Sequence, residues 1–352
     1  MIKLRALISS EDSYDLRLGP LHRIIVGLSG VDFQMQMDLE PSRINDCDWM
    51  GVTPLMWAAI RSSHTYINLL LSRGARIDLT DSEGRTALHH AVRAGSLECV
   101  RALLNACADM NIADNIGFTP LHDAGYSICA SEVKHIITLL CDYGADLEAR
   151  DANGWTPLYF ATDWGQHGAV VTFLECGADV NALDWHGIPP IGRAIFHGHD
   201  EIVRQLCQCR GIVSAWSPGD DEIENILEMA ALYGTVETMD ILGKSAIPPI
   251  KCNVAKLEYW FNTYREVYGT RSSPEEELAA FQRLLKEKAI PTSHAEDEDE
   301  DVDSLSTKEH LPDNKSDESD DEQDEVFEDA MEHVSFLTEH SLLSAPCPVV
   351  AS

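Results

Sequence analysis

Four side chains within thirteen residues carry metal-binding chemistry: His197 and His199, then Cys207 and Cys209. Imidazole and thiolate are the usual ligands of a tetrahedral zinc centre. The spacing defeats that arrangement. A helical stretch of about eight residues between the pairs separates them by on the order of 12 Å, too far for one centre. Other imidazoles stand at His22, His89, His90 and His122, but no Ser/His/Asp set has supporting context. There is also no Gly-rich phosphate loop, no H-E-x-x-H and no paired Cys-x-x-Cys. The expectation is a chain with no catalytic residues, no metal and no cofactor.

The same residues take on a different meaning once the elements that must hold them are read. Asp48, Asp81, Asp114, Asp151 and Asp184 recur at steps of 33, 33, 37 and 33 residues, each followed three residues later by Gly51, Gly84, Gly117, Gly154 or Gly187. An Asp-x-x-Gly stretch makes a tight turn, with glycine supplying a positive φ. Thr53-Pro54-Leu55, Thr86-Ala87-Leu88, Thr119-Pro120-Leu121 and Thr156-Pro157-Leu158 follow, with a degenerate Pro189-Pro190-Ile191 in the fifth unit. Thr caps a helix start and Pro is tolerated in the first turn. Ala58, Ala91, Ala124, Ala161 and Ala194 permit close helix pairing, and second helices follow with apolar residues at i, i+3 and i+4, such as Val100, Leu103 and Leu104. Gly74, Gly144 and Gly177 end three of these helices; Cys107 stands where the fourth glycine is expected.

A period near 33 with a T-P-L-H-type opening resembles the ankyrin-repeat family. The order of a damaged opening unit at Gly19-Pro20-Leu21-His22 and an acidic C-terminal segment is similar to ankyrin proteins of filamentous fungi. The resemblance implies an all-α solenoid, a stack of helical-hairpin units whose core exists only between neighbours. The expected organisation is a flexible lead-in over 1–17 and a repeat domain over 18–245. Its units fall at about 18–47, 48–80, 81–113, 114–150, 151–183, 184–216 and 217–245. Four residues extend the third full unit near Tyr126, and Ser217 to Glu222 replace the last hairpin. A helical cap or docking segment follows over 246–292. Ile247 to Ile250 reads as its connector, and Ser273-Pro274 starts a helix running to Lys288.

Net charge is −33, and its distribution is uneven. From Glu296 to Glu332 there are 19 acidic residues against Lys308 and Lys315. That composition predicts a disordered acidic tail over 293–352. Ser316 and Ser319 within it resemble sites for acidophilic kinases of the casein-kinase type. So acidic a chain argues against direct nucleic-acid binding, which needs Lys and Arg. Ten cysteines without paired spacing suit a reducing compartment. No secretory signal and no run long enough for a membrane span is apparent. An intracellular protein, cytoplasmic or nuclear and monomeric by itself, is expected.

In ankyrin-like stacks the hairpin tips and the exposed side of each first helix line a concave face that binds a partner protein. Transferred residue by residue, the tips supply Trp49, Arg85, Phe118, Trp155, Trp185 and His186. The first helices supply Trp57, Arg61, His90, Arg93, Asp123, Tyr126, Phe160, Trp164 and His197. Aromatics and Arg are the types that dominate protein interfaces. The expected function is a non-catalytic scaffold or adaptor. The alternative is a regulatory or targeting subunit of an enzyme complex whose acidic tail binds a basic partner. In this family the His of Leu-His pairs is structural, bonding to neighbouring turns, and His199 sits at a second-helix start where His is common.

Overall fold

The computed structural model describes residues 18–126, 130–212, 225–269 and 272–291. The lead-in, the acidic segment with Ser316 and Ser319, and the turn at Ser217 to Glu222 lie outside the described residues. So does most of the insertion after Tyr126.

The described chain is a succession of helix pairs. A short first pair, α1 (Pro20–Ile25) and α2 (Phe33–Leu39), is followed by a 3-10 turn over Pro41–Asn45. Five full pairs follow: α3 (Pro54–Ile60) with α4 (His64–Ser72), α5 (Ala87–Arg93) with α6 (Leu97–Asn105), α7 (Pro120–Tyr126) with α8 (Ala130–Asp142), α9 (Pro157–Asp163) with α10 (His167–Cys176), and α11 (Pro190–His197) with α12 (Asp200–Cys207). A sixth, α13 (Ile226–Tyr233) with α14 (Val236–Lys244), precedes two longer helices, α15 (Val254–Tyr268) and α16 (Pro274–Lys288). First helices pack on first helices and second helices on second helices down the stack. None of the described helices is long and apolar enough to cross a membrane.

Local chemistry sets each start. Thr53 Oγ1 accepts the Met56 N–H at 3.2 Å and Thr156 Oγ1 accepts the Tyr159 N–H at 3.3 Å. Pro189 offers no such cap, yet α11 still forms, because Pro190 fixes φ for the first turn. Between the two rows lies one apolar core. Leu55, Leu88, Leu121, Leu158 and Ile191 are buried along one side; Ile67, Val100, Ile136, Val170 and Ile202 meet them from the other. Each such side chain contributes roughly 1.5–3 kcal/mol over an exposed position. No single pair can bury both its faces, so the stack is the unit of stability.

Two backbone positions depart from the glycine pattern. Cys107 holds φ +64° at the end of α6, where Gly74, Gly144 and Gly177 stand in other units. Ser62 holds φ +53° in the loop where Gly95, Gly165 and Gly198 stand. Both carry a Cβ in the left-handed region, at a cost of about 1 kcal/mol each relative to glycine.

One short sheet accompanies the helices. Ile250–Cys252 forms a strand, β1, paired in parallel with β2 (Ala289–Pro291), so the last residue of the expected connector is sheet. The cause is at the end of α16. Lys288 Nζ donates to the carbonyls of Ser245 and Ile247, each at 2.7 Å, and draws the two chain segments together. Residues 254–288 thus leave and return at one place. Arg265 fastens this pair to the sixth. Its Nε donates to Glu277 at 2.6 Å, its terminal nitrogens donate to the carbonyls of Ala231 and Gly234, and its guanidinium lies 3.7 Å from the Phe261 ring centroid.

Candidate functional site

The five repeating aspartates build the hairpin side of the stack by one rule. Asp48, Asp81, Asp114, Asp151 and Asp184 each use Oδ1 to accept two backbone N–H groups, two and four residues on, at 2.8–3.0 Å. This closes the turn and consumes one oxygen. The other, Oδ2, turns toward the first helix, where the residue nine positions later awaits it. Trp57 Nε1 donates to Asp48 Oδ2 at 2.9 Å. His90 Nε2 donates to Asp81 Oδ2 at 2.9 Å, and Arg85 Nε joins it at 3.1 Å.

Beyond the second unit this supply of donors fails. Nine residues after Asp114 stands Asp123, a second carboxylate. Nine residues after Asp151 stands Phe160, which has no donor. Asp123 Oδ2 and Asp151 Oδ2 are buried without a hydrogen-bond partner. Arg93 Nε lies 3.8 Å from Asp123 Oδ1, within ion-pair reach but beyond a hydrogen bond. Burial pushes the Asp123 carboxyl up to about 6 despite Arg93 and Arg85, and pushes Asp151 up to about 6 as well. Burial, reinforced by the charge of Asp123, also raises Asp114. In the fifth unit Tyr159 of the preceding repeat reaches across and donates to Asp184 Oδ2 at 2.6 Å.

A second carboxylate, Asp163, shows the opposite state. Burial alone would raise it, but His197 Nε2 at 3.1 Å and Arg193 Nε at 2.8 Å outweigh burial and hold it below the usual range. Asp81 is likewise depressed, burial being outweighed by His90 and Arg85, while burial lowers His90 itself to about 4.

Between Asp123 and Asp163 lies an aromatic cluster. Phe118 meets Phe160 at 4.8 Å between centroids, Tyr126 meets Trp164 at 5.0 Å, and Phe160 lies 6.1 Å from Trp164. Trp155 stacks on Tyr159 at 5.4 Å, with the Arg193 guanidinium 5.3 Å from its ring. Phe118, Tyr126, Trp155 and Trp164 are partly exposed, and Phe160 is buried beneath them. The cluster joins residues of the third, fourth and fifth full units.

The remaining expected contact residues fall into two groups. Trp49, Trp185, His186 and His197 are exposed, and Trp57, Arg61 and Arg93 partly so. The Trp185 ring lies over Gly154, whose missing Cβ would come within 2.6 Å of it, and its Nε1 donates to the Ala152 carbonyl. Arg85, His90, Asp123 and Phe160 are buried within the chain, shaping the face from beneath. Asp151, read in the sequence only as a turn residue, belongs to the same arrangement with Arg193, and so do Asp163 and Tyr159, which sequence reading did not single out. The nine-residue offset from Asp184 was the available signal for Arg193.

The histidines of the Leu-His pairs are spoken for. Nδ1 of His22, His89 and His122 accepts the backbone N–H of Gly19, Thr86 and Thr119. Nε2 therefore carries the proton and donates to the carbonyls of Val52, Phe118 and Trp155 at 3.0–3.1 Å. Burial lowers all three below the ordinary imidazole value. A neutral ring with both nitrogens engaged is no general base. His199 Nε2 likewise donates to the Asp163 carbonyl at 3.1 Å.

Comparison with known proteins gives the following. The family described as ankyrin repeats (3 copies) matches residues 67–129 and 108–184, and the ankyrin repeat family matches residues 50–82. Ankyrin repeat protein nuc-2 of Neurospora crassa is 34% identical over 171 residues, which cover 48% of this chain and 16% of that protein. Human transient receptor potential cation channel subfamily A member 1 is 28% identical over 203 residues, 56% of this chain and 18% of the channel. The chain thus spans less than a fifth of the length of these curated relatives. The crystal structure of the ankyrin repeat domain of Bcl-3, titled a unique member of the IkappaB protein family, superposes with a TM-score of 0.56 at 27% identity. That superposition covers 64% of this chain and 98% of the domain.

Proposed function

Because this chain is an ankyrin-repeat protein, built on a module for protein–protein interaction, we propose that it is a non-catalytic scaffold or adaptor holding a partner protein on the hairpin side of the stack. The observation that carries this reading is the partly exposed cluster of Phe118, Tyr126, Trp155 and Trp164 around buried Phe160, flanked by Arg93 and Arg193. Rigid aromatics lose little conformational freedom on docking, and aromatics with Arg dominate the energy of protein interfaces. Exposed Trp185 and Trp49 extend the same side toward the fifth and first full units.

The test is affinity capture from native lysate with the intact chain and with a Tyr126→Ala, Trp164→Ala variant. Circular dichroism verifies that the variant keeps its helices. Specific partners held by the intact chain and lost from the folded variant are the expected result. Retention of the same partners would remove the hairpin side from consideration and direct attention to residues 246–292.

A further inference from the structure

In the first two units the free oxygen of each hairpin aspartate meets a donor that the chain itself supplies, Trp57 or His90. In the third and fourth units that donor is missing, and Asp123 Oδ2 and Asp151 Oδ2 are buried with nothing to accept from. The two hairpins are in direct contact. The Ala152 N–H donates to the Ile116 carbonyl at 3.0 Å, and a Cβ on Gly117 would lie 2.8 Å from the Asp151 Cα. The charge of Asp123 acts on Asp114 and that of Asp114 on Asp151, so the three carboxyl groups are neighbours in one row, and on the same two units the rings of Phe118 and Tyr126 meet Phe160. The nearest cation, Arg93, is 3.8 Å away, and its guanidinium makes no hydrogen bond among the described residues.

We infer that the partner protein completes this row with an arginine side chain, donating to the carboxyl groups of Asp123 and Asp151 from the side of the partly exposed rings of Phe118 and Tyr126. The inference rests on the docking reading above and names the chemistry of its anchor. A guanidinium fits on three counts. It offers five N–H donors in one plane, enough for two carboxylates at once. It stacks on aromatic faces, as Arg193 already does on Trp155. It is also more weakly hydrated than an ammonium, so it enters a buried site at lower cost. The partner's arginine would thus do in the third and fourth units what Trp57 and His90 do in the first two.

The test pans the full chain, at low salt, against a phage library of random 12-residue peptides, then measures synthetic copies of the selected peptides. The expected result is an arginine at one fixed position beside apolar residues. Replacing that arginine by Ala in the peptide, or Asp123 by Asn in the protein, should weaken binding by about tenfold or more. An Asp38→Asn variant, altered at an exposed carboxylate, should bind as the original chain does. Peptides that need Tyr126 and Trp164 but carry no arginine overturn this inference and leave the docking reading standing. Equal affinity for lysine at that position overturns the guanidinium assignment. Peptides indifferent to Tyr126→Ala, Trp164→Ala, or a failure to select any peptide, remove both.

Discussion

The second and third full units share a backbone and differ in one atom's fortune. Asp81 and Asp114 close identical turns with Oδ1. Asp81 Oδ2 then meets His90 and Arg85, while Asp114 faces Asp123. One carboxyl is held ionised and the other is pushed toward its neutral form. The repeat therefore constrains one oxygen of its aspartate and leaves the other to be matched by whatever residue stands nine positions on. Stability is invested where that residue donates. Unsatisfied polarity collects where it does not.

The largest test of this contrast is Asp81→Ala. It removes the acceptor of two turn-closing hydrogen bonds and leaves His90 and the Nε of Arg85 without their buried partner, and should cost about 3–5 kcal/mol by denaturant unfolding. A loss below about 1 kcal/mol would show that the turn does not need the carboxylate.

Asp123→Asn should act in the opposite direction, by a smaller amount. Burial holds the folded-state value at about 6, above the ordinary 3.8 of an aspartate. The stability tied to this group is therefore fully present below about pH 4, where it is protonated in both states, and is lost as pH rises through about 6. An amide never ionises, so the variant should exceed the original chain by on the order of 1–3 kcal/mol at pH 7.5, with the gap closing near pH 4. A gap of equal size at both pH values would mean that ionisation is not its source. His90 moves the other way: its neutral form is favoured by burial, and that stability falls as pH drops from the ordinary imidazole range toward about 4. Only the difference between variant and original chain isolates Asp123.

The smallest effect is expected at Cys107→Gly, far from any of these carboxylates in role. Relief of the +64° backbone should raise stability by about 1 kcal/mol or less, independent of pH. A pH-dependent change there would show that the carboxylate tests report something more general than their own titration.

The stack itself was legible because its signals are local and repeated. Asp-x-x-Gly turns, Thr-Pro starts and Leu/Ala spacing each act within a few residues, and five copies agree. The helix from Pro274 to Lys288 was legible for the same reason, through its Ser273 cap and acidic first turn. The β1–β2 pair was not, since it depends on Lys288 reaching carbonyls more than forty residues earlier. At the site, aromatic and Arg positions were found from residue type, and the burial of Arg85, His90, Asp123 and Phe160 was missed. Burial there follows from Oδ2 geometry between hairpin and helix, which residue type alone does not encode. Tyr159 was not singled out, yet its hydroxyl crosses to Asp184 in the next unit.

The row of forward-pointing imidazoles has a consequence for how the molecule opens. His22, His89 and His122 each tie a helix start to the following hairpin, and Tyr159 ties the fourth unit to the fifth. Between the first and second full units the corresponding residue is Met56, whose sulfur accepts the Thr53 N–H but donates nothing. Of these five junctions it is the one without such a side-chain tie among the described residues. Amide hydrogens of α1 to α4 should therefore exchange as a group of their own, ahead of those in α5 to α10, so that the chain breathes as two cooperative blocks joined at a methionine.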